Sequence, residues 1–87
     1  APAVLMRIGT AAHARDNEDL ALAAWMAVVQ AHPHSPQAPS AALRAARLLS
    51  RRGKNEDARS LLQLLTTRWP DTQEALTAAR VLKERAP

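Results

Sequence analysis

The sequence predicts an all-α protein of five helices that pair into antiparallel hairpins. Ala and Leu supply most of the apolar content, because the 87 residues are 47% hydrophobic but only 2% aromatic, with no Phe or Tyr. Ala is the best helix former, whereas a sheet would favour Val, Ile and aromatic residues. Gly, Pro, Asn and Asp separate five segments whose apolar residues recur at helical spacing. His32-Pro33 and Trp69-Pro70 close two such hairpins 70 − 33 = 37 residues apart, which indicates a repeat.

The first two segments form the first predicted hairpin. The first helix runs from about Ala3 to Ala14, and Pro2 suits its start. The second helix begins within Asp16–Asp19, where Asp or Asn can accept the free N–H groups of a first turn. It ends at His32-Pro33, because Pro disfavours a helical residue before it. Its apolar stripe predicts that Ala21, Ala24, Trp25, Val28 and Val29 are buried.

The next two segments form the second predicted hairpin. The third helix starts between Pro36 and Ser40 and stops at Gly53, which supplies a left-handed cap. Asn55 is expected to cap the fourth helix, which ends at Trp69-Pro70. Trp69 is expected to be less enclosed than Trp25, because it lies at a helix end. The predicted apolar positions of these helices are Leu43, Ala46, Leu49, Ala58, Leu61, Leu62, Leu65 and Trp69.

The last segment predicts a single helix from Gln73 to about Arg85. Asp71 and Glu74 have the spacing of a capping box for its first turn. Its expected inner face consists of Ala75, Leu76, Ala79 and Leu82, and its polar face of Arg80, Lys83, Glu84 and Arg85. A helix with one polar face at the end of a repeat array is expected to act as a cap.

The repeat resembles the tetratricopeptide repeat family, whose units are helix pairs of about 34 residues closed by Pro. The matching residues are Gly9, Ala21, Trp25 and Pro33 in the first unit and Ala46, Gly53, Ala58, Leu62 and Pro70 in the second. The resemblance implies a right-handed α-solenoid fragment in one domain, residues 1–87. Repeat one is expected at about 2–38, repeat two at about 39–72 and the capping helix at about 73–85.

The turn HPHSPQ and the Ala/Leu-rich helix after it carry a finer resemblance. They are most similar to the repeats of bacterial envelope proteins such as the Tol-Pal system coordinator. The resemblance implies that the chain is part of a larger bacterial protein in or near the envelope.

A tetratricopeptide resemblance also implies a non-catalytic module that holds a protein or peptide on its concave face, which the first helix of each pair lines. Arg44, Arg47 and Arg51 share one stripe of the third helix, because they are three and four residues apart. When the fifth helix is aligned with the third with one residue deleted, Arg7, Arg44 and Arg80 take equivalent positions. They would form a ladder of positive charge across the groove. The predicted partner-binding residues are Arg7, Leu43, Arg44, Arg47, Arg51, Arg80 and Lys83. An acidic segment is the expected ligand, and a merely solvated helix face is the alternative.

Residues for catalysis, metal binding or cofactor binding are missing from the sequence. There is no Cys, and His13, His32 and His34 stand at no metal-ligand spacing. Gly9 and Gly53 are isolated, so no phosphate loop is present, and no Ser has an adjacent His as a base. We therefore expect no enzyme, no metal site and no cofactor.

Two other functions stay open at this point. Short repeat arrays expose apolar ends, which would allow copies of the chain to assemble. The net charge of +4 permits nucleic-acid binding, but the predicted groove lacks the stacking aromatics of single-strand binders. Membrane insertion is not expected, because no segment approaches about 18 apolar residues.

Overall fold

The computed structural model describes residues 1–84, which form five α-helices and no strand, so the predicted all-α class is confirmed. The predicted end of the last helix, Arg85, lies outside the described residues. No helix in the described part is long and apolar enough to cross a membrane. The helices are α1 (Pro2–Ala14), α2 (Glu18–Ala31), α3 (Ala38–Arg51), α4 (Asn55–Arg68) and α5 (Gln73–Glu84).

Consecutive helices pack side by side in a flattened array. Each helix packs against the next one in the chain, and α5 also touches α3. The molecule measures 35 × 27 × 17 Å, and its thinnest dimension fits two layers of helices spaced about 8–10 Å apart. The arrangement is that of a helical repeat, with α3 at its centre between α2, α4 and α5.

Alanine allows the helices to approach closely around α3. Its enclosed alanines, each at most 1% exposed, are Ala38, Ala41, Ala42, Ala45 and Ala46. Larger apolar side chains fill the remaining space, and Val28, Leu48 and Leu65 are the largest that are completely enclosed. Trp25 is 2% exposed, whereas Trp69 at the end of α4 is half-buried, as predicted. All five residues predicted to be buried on α2 are buried.

α1 and α3 end in the same backbone motif, one repeat apart. Gly53 has φ +79° after α3, and Asp16 has φ +61° after α1. The amide of Lys54 donates to the carbonyl of Leu49 at 2.9 Å, and the amide after Asp16 makes the equivalent bond at 2.8 Å. This is the Schellman arrangement, which satisfies carbonyls at a helix C-terminus. The prediction for Gly53 is confirmed, and Asp16 holds the same position without the freedom of glycine.

The starts of α2 and α4 differ in how they are capped. At α2, Asn17 Oδ1 accepts the amide of Leu20 at 3.3 Å, within the predicted segment. At α4, the predicted Asn55 cap is wrong. Lys54 holds the non-helical backbone (φ −84°, ψ 63°), and no side chain bonds to the first turn. Asn55 is already the first helical residue, so its side chain is not at the capping position.

The start of α5 is capped by Thr72, so the predicted Asp71–Glu74 capping box is wrong. Thr72 Oγ1 accepts the amide of Ala75 at 3.1 Å and donates to the carbonyl of Trp69 at 2.8 Å. A hydroxyl can donate and accept at once, which an ionised carboxylate cannot. One side chain therefore joins the end of α4 to the beginning of α5.

The face that α5 turns toward the array differs from the predicted one. Ala75 and Ala78 are 4% and 0% exposed, whereas Leu76 is 62% exposed and Ala79 is also exposed. Leu82 is half-buried. The predicted inner face is therefore wrong at Leu76 and Ala79, because α3 and α4 pack against the side of α5 that carries the other two alanines.

Candidate functional site

A cavity of about 430 Å³ is bordered by residues of α1, α2, α3 and α5. Most of its lining comes from α3, and single residues come from the other three helices. We term it the arginine groove. Its lining residues are His13, Trp25, Ser40, Leu43, Arg44, Arg47, Leu48, Arg51 and Glu74.

The basic side of the arginine groove is one stripe of α3. Arg44, Arg47 and Arg51 are all exposed, and their spacing places them on one side of the helix. Arg44 Nε donates to Ser40 Oγ at 3.4 Å. Within residues 1–84, the guanidinium groups of Arg47 and Arg51 form no hydrogen bond, and both ion pairs found there involve Arg52 instead. Two guanidinium groups in the groove thus have all their donors available.

The floor of the arginine groove is apolar and buried. Trp25 and Leu48 are each 2% exposed, and Leu43 is 9% exposed. The ring of His13 stands over this floor, its centroid 5.7 Å from that of Trp25 and tilted by 51°. The indole Nε1 has no hydrogen-bond partner among the described residues and is buried against Gly9, so it is not presented to the groove. A ligand would therefore meet charge at the side and hydrocarbon beneath.

Only part of the predicted binding set lines this cavity. Leu43, Arg44, Arg47 and Arg51 lie together in it. Within the described residues, the other three predicted members, Arg7, Arg80 and Lys83, are exposed but do not line it.

Five lining residues lie outside the predicted binding set, namely His13, Trp25, Ser40, Leu48 and Glu74. Glu74 brings an acidic group from the first turn of α5, and it forms no ion pair within residues 1–84. His13 and Trp25 were assigned to no site and to the core, respectively. The sequence did contain a signal for Trp25. Ala21 and Trp25 are four residues apart on α2, and the small residue Gly9 on α1 leaves room for the indole beneath α1.

The described residues offer no arrangement suited to a metal ion. Across residues 1–84, no three His, Cys, Asp or Glu side chains form a group that could hold one.

Stacked antiparallel hairpins with an open, basic groove define a helical-repeat protein. Residues 40–72, which include the arginine stripe and all of α4, match the family model described as Tetratricopeptide repeat. The match covers 33 of the 87 residues and supports a tetratricopeptide repeat in that part of the chain. Such repeats generally mediate protein–protein interaction and are generally non-catalytic. No curated protein matches the chain.

Proposed function

We propose that the chain is a non-catalytic interaction module that binds an acidic segment of another protein in the arginine groove. The observation that carries the proposal is the coincidence of Arg44, Arg47 and Arg51 with one cavity, two of them without partners within residues 1–84. Charged donors that no internal acceptor satisfies favour a ligand with carboxylates. The tetratricopeptide match supports the class of partner, because such repeats generally bind proteins.

The shape of the groove supports a peptide ligand over a free ion. Along α3, Arg44 and Arg51 are about 10 Å apart at 1.5 Å rise per residue, a span that two or three acidic side chains cover. The apolar floor of Leu43 and Leu48 would take an aliphatic residue between them. Each charge-assisted bond contributes about 1.5–3 kcal/mol where water is excluded, and much less where the groove stays wet.

Glu74 adds a negative charge to the otherwise basic lining of the groove. It is the acidic residue of the lining, facing a ligand from α5 while the arginines face it from α3. A ligand that is acidic on one side and neutral or basic on the other fits this arrangement better than a uniformly acidic one. We infer that Glu74→Gln strengthens binding of uniformly acidic peptides, since it removes like-charge repulsion.

The test is a titration of a fluorescently labelled Glu/Leu-rich peptide against the wild-type chain and two charge-reversal variants. Arg44→Glu with Arg47→Glu changes the groove, while Arg15→Glu with Arg68→Glu changes exposed positions outside it by the same net charge. We expect at least tenfold weaker binding for the first variant and less than threefold for the second. Equal losses in both variants would assign the effect to net charge and defeat the proposal.

Two further arms separate the alternatives. Arg7→Glu with Arg80→Glu tests the charge ladder; a loss of peptide affinity equal to that of the groove variant would extend the site across α1 and α5.

Single-stranded oligonucleotides of matched charge test nucleic-acid binding. Tighter binding of the oligonucleotide than of the peptide at 150 mM salt, a concentration at which screening acts over about 8 Å, would replace a protein partner by a nucleic acid.

We also propose a larger bacterial parent protein associated with the envelope. The support is the resemblance of the HPHSPQ turn and the helix after it to repeats of such proteins. Fractionation of cells that express the tagged parent protein tests this; recovery in the soluble cytoplasmic fraction alone would contradict it.

A further inference from the structure

The sequence of α5 repeats that of α3 without a gap. Residues 42–49 read ALRAARLL and residues 75–82 read ALTAARVL, which are identical at six of eight positions. Their offset is 75 − 42 = 33 residues, close to the unit of about 34 residues. In this register Ala79 is the equivalent of Ala46, which is itself 37 residues after Gly9.

Gly9 and Ala46 lie at equivalent positions where the first helix of a hairpin packs closely in the array. A methyl group on Gly9 would collide with Trp25 of α2, its partner helix, and Ala46 of α3 is 1% exposed. The repeat pattern places a small residue at this position in the first helix of each unit. Ala79, by contrast, is exposed. α1 therefore has its partner helix and α3 has its own, while within residues 1–84 α5 has none.

The junction between α4 and α5 is likewise not covered by another helix within residues 1–84. A cavity of about 240 Å³ lies there, lined by Asn55, Ala58, Arg59, Leu62, Val81 and Leu82. One repeat earlier, the equivalents of Leu62 and Val81 are Trp25 and Leu48, and each of those is only 2% exposed. Leu62 is also buried, at 6% exposed, but Val81 is only half-buried, so the difference lies on the α5 side of the junction.

The equivalent junction one repeat earlier lies between α2 and α3, and the helix next to it is α4. Leu22 of α2 and Leu49 of α3 line a cavity together with Leu61 and Leu64 of α4. α4 thus borders the junction of α2 and α3 on this side. Continuity of the repeat places one more helix beside the junction of α4 and α5.

We propose that α5 is the first helix of a third repeat, and that its Ala79 face and the α4–α5 cavity dock the second helix of that repeat, supplied by the same polypeptide. The chemistry of that helix follows from α2 and α4. Both carry Ala followed four residues later by a large apolar residue, and both have two acidic residues in the first turn. Asp57 in the first turn of α4 lines a cavity with Leu22, the equivalent of Arg59, so an acidic first turn in the added helix would lie near Arg59.

The test adds a helix of this type to the chain. Residues 86–87 are replaced by a copy of residues 53–72, which supplies the α3–α4 turn and α4. We expect one cooperative transition whose thermal midpoint is at least about 5 °C higher than that of the 87-residue chain. No rise, or loss of cooperative folding, would overturn the proposal, since a helix that fits this face cannot weaken the array.

A matched control separates docking from mere extension. Changing the copies of Ala58, Leu62 and Leu65 to Gln keeps the length but removes the apolar face, and we expect no rise in midpoint. Ala79→Arg should leave the 87-residue chain within about 1 °C, because the position is exposed, and should abolish the rise in the extended chain. A rise that survives Ala79→Arg would place the added helix elsewhere and overturn the proposal.

Sedimentation of the 87-residue chain adds a second readout. We expect a monomer up to about 100 µM, a range in which specific weak self-association becomes visible. A dimer that dissociates on Ala79→Arg would assign this face to a second copy of the chain and overturn the proposed occupant.

Discussion

Gly9 of α1 lies directly against the indole ring of Trp25 in α2. A methyl group built on Gly9 would stand 2.6 Å from Cδ1 and 2.9 Å from Cε2 of that ring, closer than side-chain atoms approach one another. In the second hairpin the equivalent residues are Ala46 and Leu62, both buried. The position without a side chain is thus paired with the bicyclic indole, and the equivalent position with a methyl group is paired in sequence with the smaller side chain of leucine.

Gly9→Ala should lower the free energy of unfolding by about 1–3 kcal/mol, a typical cost of overpacking. The loss is expected although Ala favours a helix over Gly by about 0.5–1 kcal/mol, because the enclosed ring has little room to move. Urea denaturation followed by circular dichroism measures it.

The control for this prediction is Trp25→Leu, which copies the second hairpin. In that background Gly9→Ala should be neutral or stabilising, so the double-mutant cycle should show a coupling above about 1 kcal/mol. Additive effects of the two substitutions would show that the contact does not limit the helix spacing.

Asp16→Gly should stabilise the protein by about 0.5–1 kcal/mol. Asp16 holds φ +61°, a region in which an L-residue with a side chain is strained and glycine is not. The opposite change, Gly53→Asp, should cost a similar amount, since nothing lies within 4 Å of a Cβ there and the cost is one of backbone alone. Thermal unfolding of both variants checks the pair, and shifts of the same sign would refute the shared motif.

Trp69→Phe should destabilise the protein by about 0.5–1.5 kcal/mol beyond the effect of reduced size. Trp69 Nε1 donates to the carbonyl of Pro33 at 2.9 Å and so ties the end of α4 to the turn before α3. Trp25→Phe is the comparison, because its Nε1 has no partner among the described residues. Trp69→Phe with a stability within about 0.3 kcal/mol of wild type would mean that water replaces the bond without loss.

Arg52→Gln should cost less than about 1 kcal/mol despite the short ion pair it breaks. Arg52 Nη1 lies 2.8 Å from Asp19 Oδ1, but the aspartate side chain is 85% exposed, and exposed pairs contribute little. The difference from wild type should vanish in about 1 M NaCl, where charges are screened over roughly 3 Å. A larger, salt-independent loss would indicate that Arg52 packs rather than pairs.

The helices and the buried face of α2 could be predicted from the sequence, because both depend on local periodicity and on breakers such as Pro33. The caps of α4 and α5 could not be predicted. In each case the observed capping residue, Lys54 or Thr72, is one residue away from the predicted one, Asn55 or Asp71. Helix boundaries depend on such small differences in backbone geometry.

The groove was predictable only where it depends on one helix. Arg44, Arg47 and Arg51 share a face of α3 whatever surrounds it, whereas Glu74 and His13 join them only through the packing of α5 and α1. The alignment with one deleted residue paired Arg80 with Arg44. The gapless register pairs Arg80 with Arg47 instead, and it was visible in the sequence as the repeated AAR motif of α3 and α5.

The enclosed alanines of α3 set the position of the helix that carries the arginine stripe of the groove. A methyl group has no rotamer to change, so a larger residue at Ala42 or Ala45 could be accommodated only by shifting the whole helix. Such a shift would carry the three guanidinium groups with it while leaving every one of them intact. Substitutions that add carbon atoms at these positions should therefore change the shape of the arginine groove from a distance, whereas substitutions that remove atoms would only reduce stability.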